Sequence, residues 1–281
     1  MTIQAALQCA TETLQSAGIP DPKTDAGLIM AHVTGIPRLT LLLHSATHLT
    51  TSQEQHLSSL LVSRTSRKPL QYVLSEQCFY GLPFFVDERV LVPRPETEML
   101  CELAIRHLQS ITAPHVLDLC TGSGAIAVTL AHECSNAHVT ASDISQPALS
   151  VAQTNAAQNH VQVRFLQGDL FAPFSAERFH CITCNPPYIE SAACFTLQEE
   201  VLHEPVLALD GGEDGLDFYR RIASQAAKHL YPGGLLCLEI GDTQADAVSA
   251  LLSHAGHYEN IVVHKDLSGS PRVVCASASP P

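Results

Sequence analysis

The tetrapeptide Asn185-Pro186-Pro187-Tyr188 is the part of this sequence whose residue types point most directly to chemistry. Two consecutive prolines fix φ and remove two backbone N–H groups, so the turn offers carbonyl oxygens for which no local N–H competes. The Asn185 side-chain oxygen and the Pro186 carbonyl can each accept one hydrogen from a planar –NH2 group, and the Tyr188 ring can cover its face. The turn therefore predicts a clamp for an amide-like nitrogen, unless it is only a proline-stiffened loop.

Such a clamp fits the transfer of a methyl group to an amide-like nitrogen. The lone pair of that nitrogen is delocalised into the neighbouring π system and attacks poorly. Holding both N–H bonds eases partial rehybridisation, aims the lone pair at a methyl sulfonium and stabilises the charge that develops. A dedicated general base is not required, because the methylated nitrogen becomes acidic enough to release its proton after transfer.

A glycine-rich turn between an apolar strand and a helix, within Val116–Ala127, is the second segment that could bind a ligand. Glycine lets the backbone approach a ligand closely, and the helix start offers free N–H groups. Asp143, 21 residues after Gly122, ends the next strand, where its carboxylate can accept both hydroxyls of a ribose. Asp169 follows the third strand and can accept from an adenine amino group while Leu170 packs on the ring. These segments predict a nucleoside site.

The glycine spacing leaves alternatives open. Gly-x-Gly-x-x-Ala also matches the dinucleotide-binding pattern, which would indicate an NAD-dependent dehydrogenase. Asp118 argues against that class, because four residues before Gly122 its carboxylate would lie close to a pyrophosphate. With S-adenosylmethionine it would instead face a cationic amino-acid group. A tight turn without any ligand is the plainest alternative, and it is weakened because three strand ends carry Asp in register.

Strand-like runs alternate with helical segments after residue 96, which predicts an α/β fold with a mostly parallel sheet covered on both faces. The predicted strands are His115–Leu119, His138–Ser142, Gln162–Leu166, Phe179–Cys184, Leu235–Ile240, Asn260–Val263 and Arg272–Ala276. Ligands bind at the carboxyl ends of the strands in such sheets. The glycine-rich turn and the tetrapeptide both fall at those ends.

The segments before residue 96 predict two further parts of the chain. Apolar residues from Ile3 to Leu14 recur at helical spacing, and a capping box at Thr51-x-x-Glu54 predicts the start of a later helix. Aromatic and β-branched residues around a Gly-x-Pro turn predict a hairpin. The expected division is a helical domain over residues 1–75, a hairpin linker over residues 76–95, and the ligand-binding domain over residues 96–281.

Composition narrows the possible partners. The chain has 281 residues, with 15 Lys and Arg against 28 Asp and Glu, a formal charge of -13. The nonspecific phosphate attraction that anchors DNA-binding proteins is therefore mostly absent, and no DNA partner is expected. No long apolar run and no basic leader region occur, so we expect a cytoplasmic protein with no membrane association.

Cysteine usage indicates buried thiols in a reducing compartment and not a disulfide framework, because the ten Cys are scattered singly. Cys181 and Cys184 form the one Cys-x-x-Cys pair. Residues three apart in a strand point to opposite faces, so no metal site is expected there.

With these motifs in order, the sequence resembles S-adenosylmethionine-dependent class I methyltransferases, and more narrowly the release factor glutamine methyltransferase (PrmC/HemK) family. The resemblance covers nearly the whole chain. Its further motifs are Phe79–Pro83, Val90–Glu98, Glu204–Leu209, Asp214–Tyr219, Leu238–Gly241 and Lys265–Gly269. Asn-Pro-Pro-Tyr alone also occurs in enzymes that methylate exocyclic amines of DNA or RNA bases, so it indicates the chemistry and not the substrate.

The resemblance implies a doubly wound, seven-stranded Rossmann-like methyltransferase sheet preceded by a small all-helical N-terminal domain and a β-hairpin linker. It implies methyl transfer to the side-chain amide nitrogen (N5) of the glutamine in the Gly-Gly-Gln motif of class 1 peptide-chain release factors. S-adenosylmethionine is the implied cofactor and S-adenosylhomocysteine the product. In that family the helical domain helps to dock the release factor. A monomer is expected.

The resemblance also implies roles for individual residues. Asn185, Pro186 and Tyr188 are the implied catalytic residues, and with Pro187 they are the implied substrate contacts. The implied cofactor contacts are Asp118, Cys120, Thr121, Gly122, Ser123, Gly124, Asp143, Asp169, Leu170 and Asn185. Cys120 stands where the family commonly has Gly. By the same resemblance, Glu96 and Thr97 border the methionine end of the cofactor.

Two other functions remain as alternatives. A base-amine methyltransferase that acts on nucleic acid predicts a basic face or a target-recognition domain, and the sequence shows neither. A noncatalytic protein that binds an adenosyl ligand predicts that Asn185→Ala leaves its activity intact. The basic group Arg64, Arg67 and Lys68 is either a solvated helix end or a docking site for an acidic partner. The loop Gly211–Gly215 either shapes a substrate channel or simply turns the chain.

Overall fold

The computed structural model describes residues 1–280 and divides the chain into two compact units. The first unit comprises Met1–Glu76 together with the short segment Gln198–His203, and the second comprises Gln77–Leu197 and residues 204–280. Nothing in the sequence indicated that a segment so far along the chain belongs to the helical unit. The hairpin expected as a linker falls in the second unit apart from residue 76.

The first unit is helical. Its helices are α1 (Ile3–Ser16), α2 (Pro22–Thr34), α3 (Thr51–Thr65) and α4 (Leu70–Leu74), with a 3-10 helix at Arg38–His44. Apolar side chains from these helices form one core. Within residues 1–280 no single helix is long and apolar enough to cross a membrane; α2 and the 3-10 helix, bent by 76°, have that length and composition only together.

The capping box at the start of α3 lies one residue earlier than expected. Thr50 Oγ1 accepts from the Gln53 backbone N–H at 3.2 Å, and Gln53 Oε1 accepts from the Thr50 N–H at 2.9 Å. Because the helix begins at Thr51, its N-cap is the residue before. The predicted box at Thr51-x-x-Glu54 is wrong, and Glu54 pairs instead with the amino group of Met1.

The basic group at the end of α3 is engaged within the helical unit. Arg64 is 5% exposed and donates to Asp25 at 2.8 Å and to Glu200 at 3.1 Å. Arg67 donates to Glu200 at 2.8 Å and pairs with Glu199 at 3.1 Å. The expectation of a solvated helix end is therefore wrong for these two arginines, and docking of an acidic partner by this basic group stays a prediction. The two arginines hold the Gln198–His203 segment in this unit.

Loss of the Arg64 guanidinium is expected to destabilise the protein strongly. Arg64→Met leaves the Asp25 carboxylate buried without its partner and removes one of the two arginines that pair with Glu200, which should lower the free energy of unfolding by about 3 kcal/mol. Arg106→Met is the matched control, because Arg106 pairs with Glu102 at the surface and should cost less than about 1 kcal/mol. Urea unfolding followed by circular dichroism measures both, and equal losses would contradict the stabilising role of the Arg64 ion pairs.

The second unit is built on a seven-stranded sheet, which confirms the predicted doubly wound α/β fold. A hairpin of β1 (Gln77–Phe79) and β2 (Leu82–Phe84) precedes it. The sheet strands are β3 (His115–Leu119), β4 (His138–Asp143), β5 (Arg164–Gln167), β6 (Phe179–Cys184), β7 (Leu230–Glu239), β8 (Tyr258–Lys265) and β9 (Pro271–Ala278). Their order is β5-β4-β3-β6-β7-β9-β8, and β9 runs antiparallel to the other six strands.

Helices cover the two faces of this sheet. They are α5 (Glu98–Leu108), which a 3-10 turn at Pro95–Thr97 precedes, α6 (Ala125–Glu133), α7 (Gln146–Gln158), α8 (Asp217–Gln225) and α9 (Ala245–Ala255). Side chains alternate between two cores, so that Leu117 and Leu119 share a core with α8 and α9 while Val116 packs with α5 and α6. The Val116 face ends in polar residues: Asp118, Thr183 and Glu239 are all buried at the carboxyl ends of β3, β6 and β7.

Candidate active site

A cleft of about 1150 Å³, including the part open to solvent, is lined by the segments that follow β3, β4, β5 and β6. The predicted site residues that line it are Cys120, Thr121, Gly122, Ser123, Asp143, Asp169, Leu170, Asn185 and Pro187. Four further predicted residues lie outside its lining: Asp118, Gly124, Pro186 and Tyr188. The structure thus brings the glycine-rich turn, the acidic strand ends and the tetrapeptide to one opening.

Three of the five residues of the glycine-rich turn, Cys120 to Gly124, have left-handed backbone conformations. Gly122 has φ of 54°, Gly124 has φ of 81°, and Cys120, which stands where the family commonly has Gly, has φ of 55°. A Cβ on Gly124 would lie 2.9 Å from the Ala152 Cβ, so close packing between α6 and α7 also requires glycine there. Gly124 therefore shapes the turn and does not line the cleft.

Asp118 lies beneath this turn and supports it. Its Oδ2 accepts from the Thr121 hydroxyl at 2.6 Å, and its Oδ1 accepts from the Thr183 hydroxyl at 2.8 Å. Complete burial raises the pKa of Asp118 to about 7, although both hydrogen bonds act to lower it. Asp118 therefore connects the start of the turn to the neighbouring strand, and its contact with a ligand stays a prediction.

The raised pKa of Asp118 predicts a pH-dependent stability. A carboxyl whose folded pKa lies above its unfolded value stabilises the fold at low pH, and that contribution is lost as pH rises through the folded pKa. The stability of Asp118→Asn relative to wild type should therefore increase by about 3 kcal/mol between pH 5 and pH 8. Urea unfolding at both pH values measures it. A difference in stability that does not change with pH would contradict the account.

The acidic strand ends and two apolar side chains form the next wall of the cleft. Asp143 Oδ2 accepts from the Gly122 N–H at 2.8 Å and Oδ1 accepts from the Ser145 N–H at 2.9 Å, which holds the carboxylate between the turn and α7. Burial raises the pKa of Asp143. Ile144, an apolar residue that is 49% exposed, lines the cleft together with Leu170. Carboxylates beside exposed apolar surface suit a ribose and an adenine ring.

Two residues that line the cleft, Ile144 and Arg221, were not expected from the sequence. Ile144 directly follows the acidic strand end, and this position is the signal that could have indicated it. Arg221 on α8 lines the cleft and pairs with Asp169 at 2.7 Å. No local pattern indicates that pair, since 52 residues separate its members in the sequence.

The tetrapeptide follows β6, and its first residue reaches the cleft. Asn185 Nδ2 lies 3.4 Å from the hydroxyl of Thr97, which also lines the cleft. Within residues 1–280, no donor is paired with Asn185 Oδ1 or with the Pro186 carbonyl oxygen. Tyr188 packs against the core beneath α8 and α9, and burial raises its pKa to about 12, so the phenol stays neutral.

The loop Gly211–Gly215 packs directly on the tetrapeptide and does not line the cleft. A Cβ on Gly211 would lie 2.7 Å from the Tyr188 Cα and 2.8 Å from the Pro187 carbonyl oxygen. A Cβ on Gly215 would lie 2.4 Å from the Tyr188 carbonyl oxygen. Gln244, which the sequence analysis missed, donates to that same oxygen at 2.9 Å. This loop therefore holds the backbone of the clamp in place.

Gly215→Ala should reduce catalysis more than its cost in stability explains. The new methyl group would displace the Tyr188 backbone, and a shift of about 1 Å in a positioned site can cost about 100-fold in rate. Gly256→Ala is the matched control, because both glycines have φ of 71° but nothing lies within 4 Å of a Cβ on Gly256. The positive φ should cost each variant about 1 kcal/mol in stability, and the steric clash adds to this cost in Gly215→Ala alone. Equal rate constants for methyl transfer in the two variants would contradict the role of the loop.

Comparisons with known proteins agree with this geometry. The family model described as methyltransferase small domain matches residues 97–266, and the PrmC N-terminal domain model matches residues 5–74. Proteins named release factor glutamine methyltransferase are 41% identical in Deinococcus radiodurans and 39% identical in Moorella thermoacetica, and each alignment covers 98% of both chains. A methyltransferase from Pyrococcus furiosus, 17% identical, shares the fold with a TM-score of 0.53 over 82% of this chain and all of that one.

The sheet order, the cleft at its carboxyl edge and these matches define a Rossmann-like methyltransferase. The resemblance stated from the motifs is confirmed. The chain belongs to the release factor glutamine methyltransferase family.

Proposed function

We propose that this chain transfers a methyl group from S-adenosylmethionine to the side-chain amide nitrogen (N5) of the glutamine in the Gly-Gly-Gln motif of class 1 release factors. One observation carries the proposal: the Asn185 side chain lines the cleft with its Oδ1 unpaired among the described residues. A primary amide offers two N–H groups to such acceptors. The relatives that carry this activity in their names align over almost the whole chain.

The residues of the cleft fit the cofactor. Asp143 is placed to accept the ribose hydroxyls, Ile144 and Leu170 to pack on the adenine ring, and Asp169 to accept from its amino group. Thr121 to Ser123 bring the backbone of the turn to the same cleft. When bound, S-adenosylmethionine supplies a methyl group on a positively charged sulfur.

The tetrapeptide holds the acceptor. Asn185 Oδ1 and the Pro186 carbonyl each take one hydrogen of the glutamine –NH2 group, which turns its lone pair out of conjugation and stabilises the positive charge that develops on nitrogen. Tyr188, neutral and held by its packing, flanks the amide. The proton leaves the methylated nitrogen for water after transfer, so no side chain needs to act as a general base.

The remaining features of the proposal concern partners and place of action. The helical unit docks the release factor, and the enzyme acts as a monomer in the cytoplasm, without DNA or a membrane. The formal charge of -13 supports a protein substrate over nucleic acid. The two alternative functions are a base-amine methyltransferase and a noncatalytic adenosyl-binding protein. The following experiment distinguishes both from the proposed activity.

Methyl-labelled S-adenosylmethionine should label an unmethylated release factor but not its Gly-Gly-Gln→Gly-Gly-Ala variant, and not stripped tRNA or rRNA. Asn185→Ala should lower the labelling rate by about 100-fold or more, because it removes one of two positioned acceptors. Its affinity for S-adenosylmethionine, measured by calorimetry, should fall far less than the rate, because Asn185 is one of many implied cofactor contacts but one of only two acceptors for the amide.

Two results would contradict the proposal. Label on RNA with none on the release factor would favour the base-amine activity. If the protein binds the cofactor but labels no substrate, and Asn185→Ala binds the cofactor equally well, the noncatalytic function would be favoured. Asn159→Ala is a matched control, because Asn159 is a half-buried residue that caps the end of α7, donates to the Pro83 carbonyl at 2.9 Å and lies outside the cleft lining.

A further inference from the structure

A buried carboxylate with an unpaired oxygen lies beside the clamp. Glu239, the last residue of β7, is 2% exposed, and its Oε2 is buried with no hydrogen-bond partner among the described residues. The side chains of Thr97 and Asn185 act on this carboxylate as hydrogen-bond donors. Burying a carboxylate that lacks full pairing destabilises a fold, so packing alone gives no reason for a glutamate at this position.

We propose that Glu239 is a positioning residue that sets which end of the Asn185 amide faces the cleft. This inference rests on the proposed function, because it concerns the clamp for the glutamine amide. Asn185 Nδ2 lies 3.4 Å from Thr97 Oγ1, and the Asn185 side chain also acts as a hydrogen-bond donor to the Glu239 carboxylate beside it. When Nδ2 is held on that side, Oδ1 points the other way, toward the acceptor.

The carboxylate discriminates between the two orientations of the amide, and the hydroxyl does not. The oxygen and nitrogen ends of an Asn amide have nearly the same size, so its hydrogen-bond partners decide how it lies. The Thr97 hydroxyl can donate or accept, so by itself it tolerates either end of the amide. It accepts from Nδ2 alone only while its one hydrogen is donated to Glu239. An ionised carboxylate can only accept, so Glu239 pairs with Nδ2 and opposes Oδ1.

The orientation matters for the transfer step more than for cofactor binding. With the amide reversed, Asn185 would present N–H groups to the N–H groups of the glutamine, and one of the two acceptors of the clamp would be lost. The residues that line the cofactor part of the cleft would be unaffected. Disturbing Glu239 should therefore lower kcat and leave the affinity for S-adenosylmethionine unchanged.

Protonation of Glu239 should remove this discrimination, because the neutral acid can donate as well as accept. Burial raises the pKa of Glu239 to about 7, against the hydrogen bonds from Thr97 and Asn185. Other charged or titratable groups act on it from the surrounding elements. They are Arg272 on β9, Glu96 before α5, Cys101 on α5, Tyr188 in the tetrapeptide and Tyr219 on α8.

The pKa values of Cys101, Tyr188 and Tyr219 are raised, which keeps these three groups neutral near pH 7. Glu239, unlike these three groups, changes charge in that range. Because the ionised form orients the clamp, kcat should rise with pH through about 7 and level off above it.

The first test compares single-turnover methylation of the release factor between pH 5.5 and pH 9 for wild type and Glu239→Gln. The variant keeps the shape of the side chain and removes its charge. Its transfer rate should fall by about 10- to 100-fold, the range for a hydrogen bond to a charged group, and the rise near pH 7 should disappear. Thr129→Val is the matched control, since Thr129 is a buried, unpaired hydroxyl on α6, outside the cleft.

A double variant distinguishes positioning from simple structural support. In Asn185→Asp the new carboxylate faces the charge of Glu239, and activity should be almost abolished. Adding Glu239→Gln supplies an N–H donor for one oxygen of that carboxylate, which leaves its other oxygen free to face the glutamine. The double variant should be at least about 10-fold more active than Asn185→Asp alone. If Glu239 only stabilised the fold, the two losses would add.

A measurement without turnover separates this inference from the proposed function. The side-chain –NH2 resonances of Asn185, followed by NMR, should titrate near pH 7 in wild type and should not titrate in Glu239→Gln. Unchanged kcat and pH profile in Glu239→Gln, additive losses, or resonances that do not titrate would each overturn the positioning role. Failure of the wild-type enzyme to label any release factor, with the titration intact, would overturn the proposed function alone.

Discussion

The active-site edge of this protein depends on polar side chains that the strand alternation forces into the interior. Successive residues of a strand point to opposite faces, so the face that carries Val116 on β3 must also carry Asp118. The same holds for Cys181 and Thr183 on β6 and for Cys237 and Glu239 on β7. Near the middle of the sheet these positions are apolar and pack against α5 and α6. At the carboxyl ends they are polar, and they support the segments that form the cleft.

Each of these buried groups is connected to one functional segment. Asp118 binds Thr121 at the start of the glycine-rich turn and Thr183 on the next strand, which joins the turn to β6. Glu239 is adjacent to Asn185 and Thr97, which places a carboxylate below the clamp. The two parts of the cleft are therefore held by separate carboxylates on the same face of one sheet. This separation explains why cofactor affinity and transfer rate can respond to different substitutions.

Much of the second unit was predictable because its signals are local. β3 and β6 have the predicted bounds, since each is a short apolar run that ends at a turn of Gly or Pro. β8 extends several residues beyond its apolar centre, because backbone pairing with β9 continues where the side chains are polar. Asp118 was expected at the site from its position before the glycines. Its threonine partners were not, because Thr183 meets it only through the pairing of β3 and β6.

Other features required contacts that no spacing reveals. Glu239 belongs to a motif that carried the family resemblance, yet its role depends on burial beside Asn185, 54 residues away in the sequence. The segment that contains Glu199 and Glu200 joins the helical unit through Arg64 and Arg67, and its local sequence gives no sign of this. The capping box at α3 was displaced by one residue because adjacent threonines both satisfy the pattern, and only the helix start distinguishes them.

The buried carboxylates affect stability and the proposed activity in opposite directions when they ionise. The pKa values of Asp118 and Glu239 are both raised to about 7 by burial, so each favours the folded state most when it is protonated. As pH rises through 7, both groups ionise in the interior and the fold loses stability. The proposed clamp needs that ionisation, because only the carboxylate of Glu239 opposes the reversed Asn185 amide. The apolar cores on both faces of the sheet must therefore supply enough stability to hold these charges where the chemistry needs them.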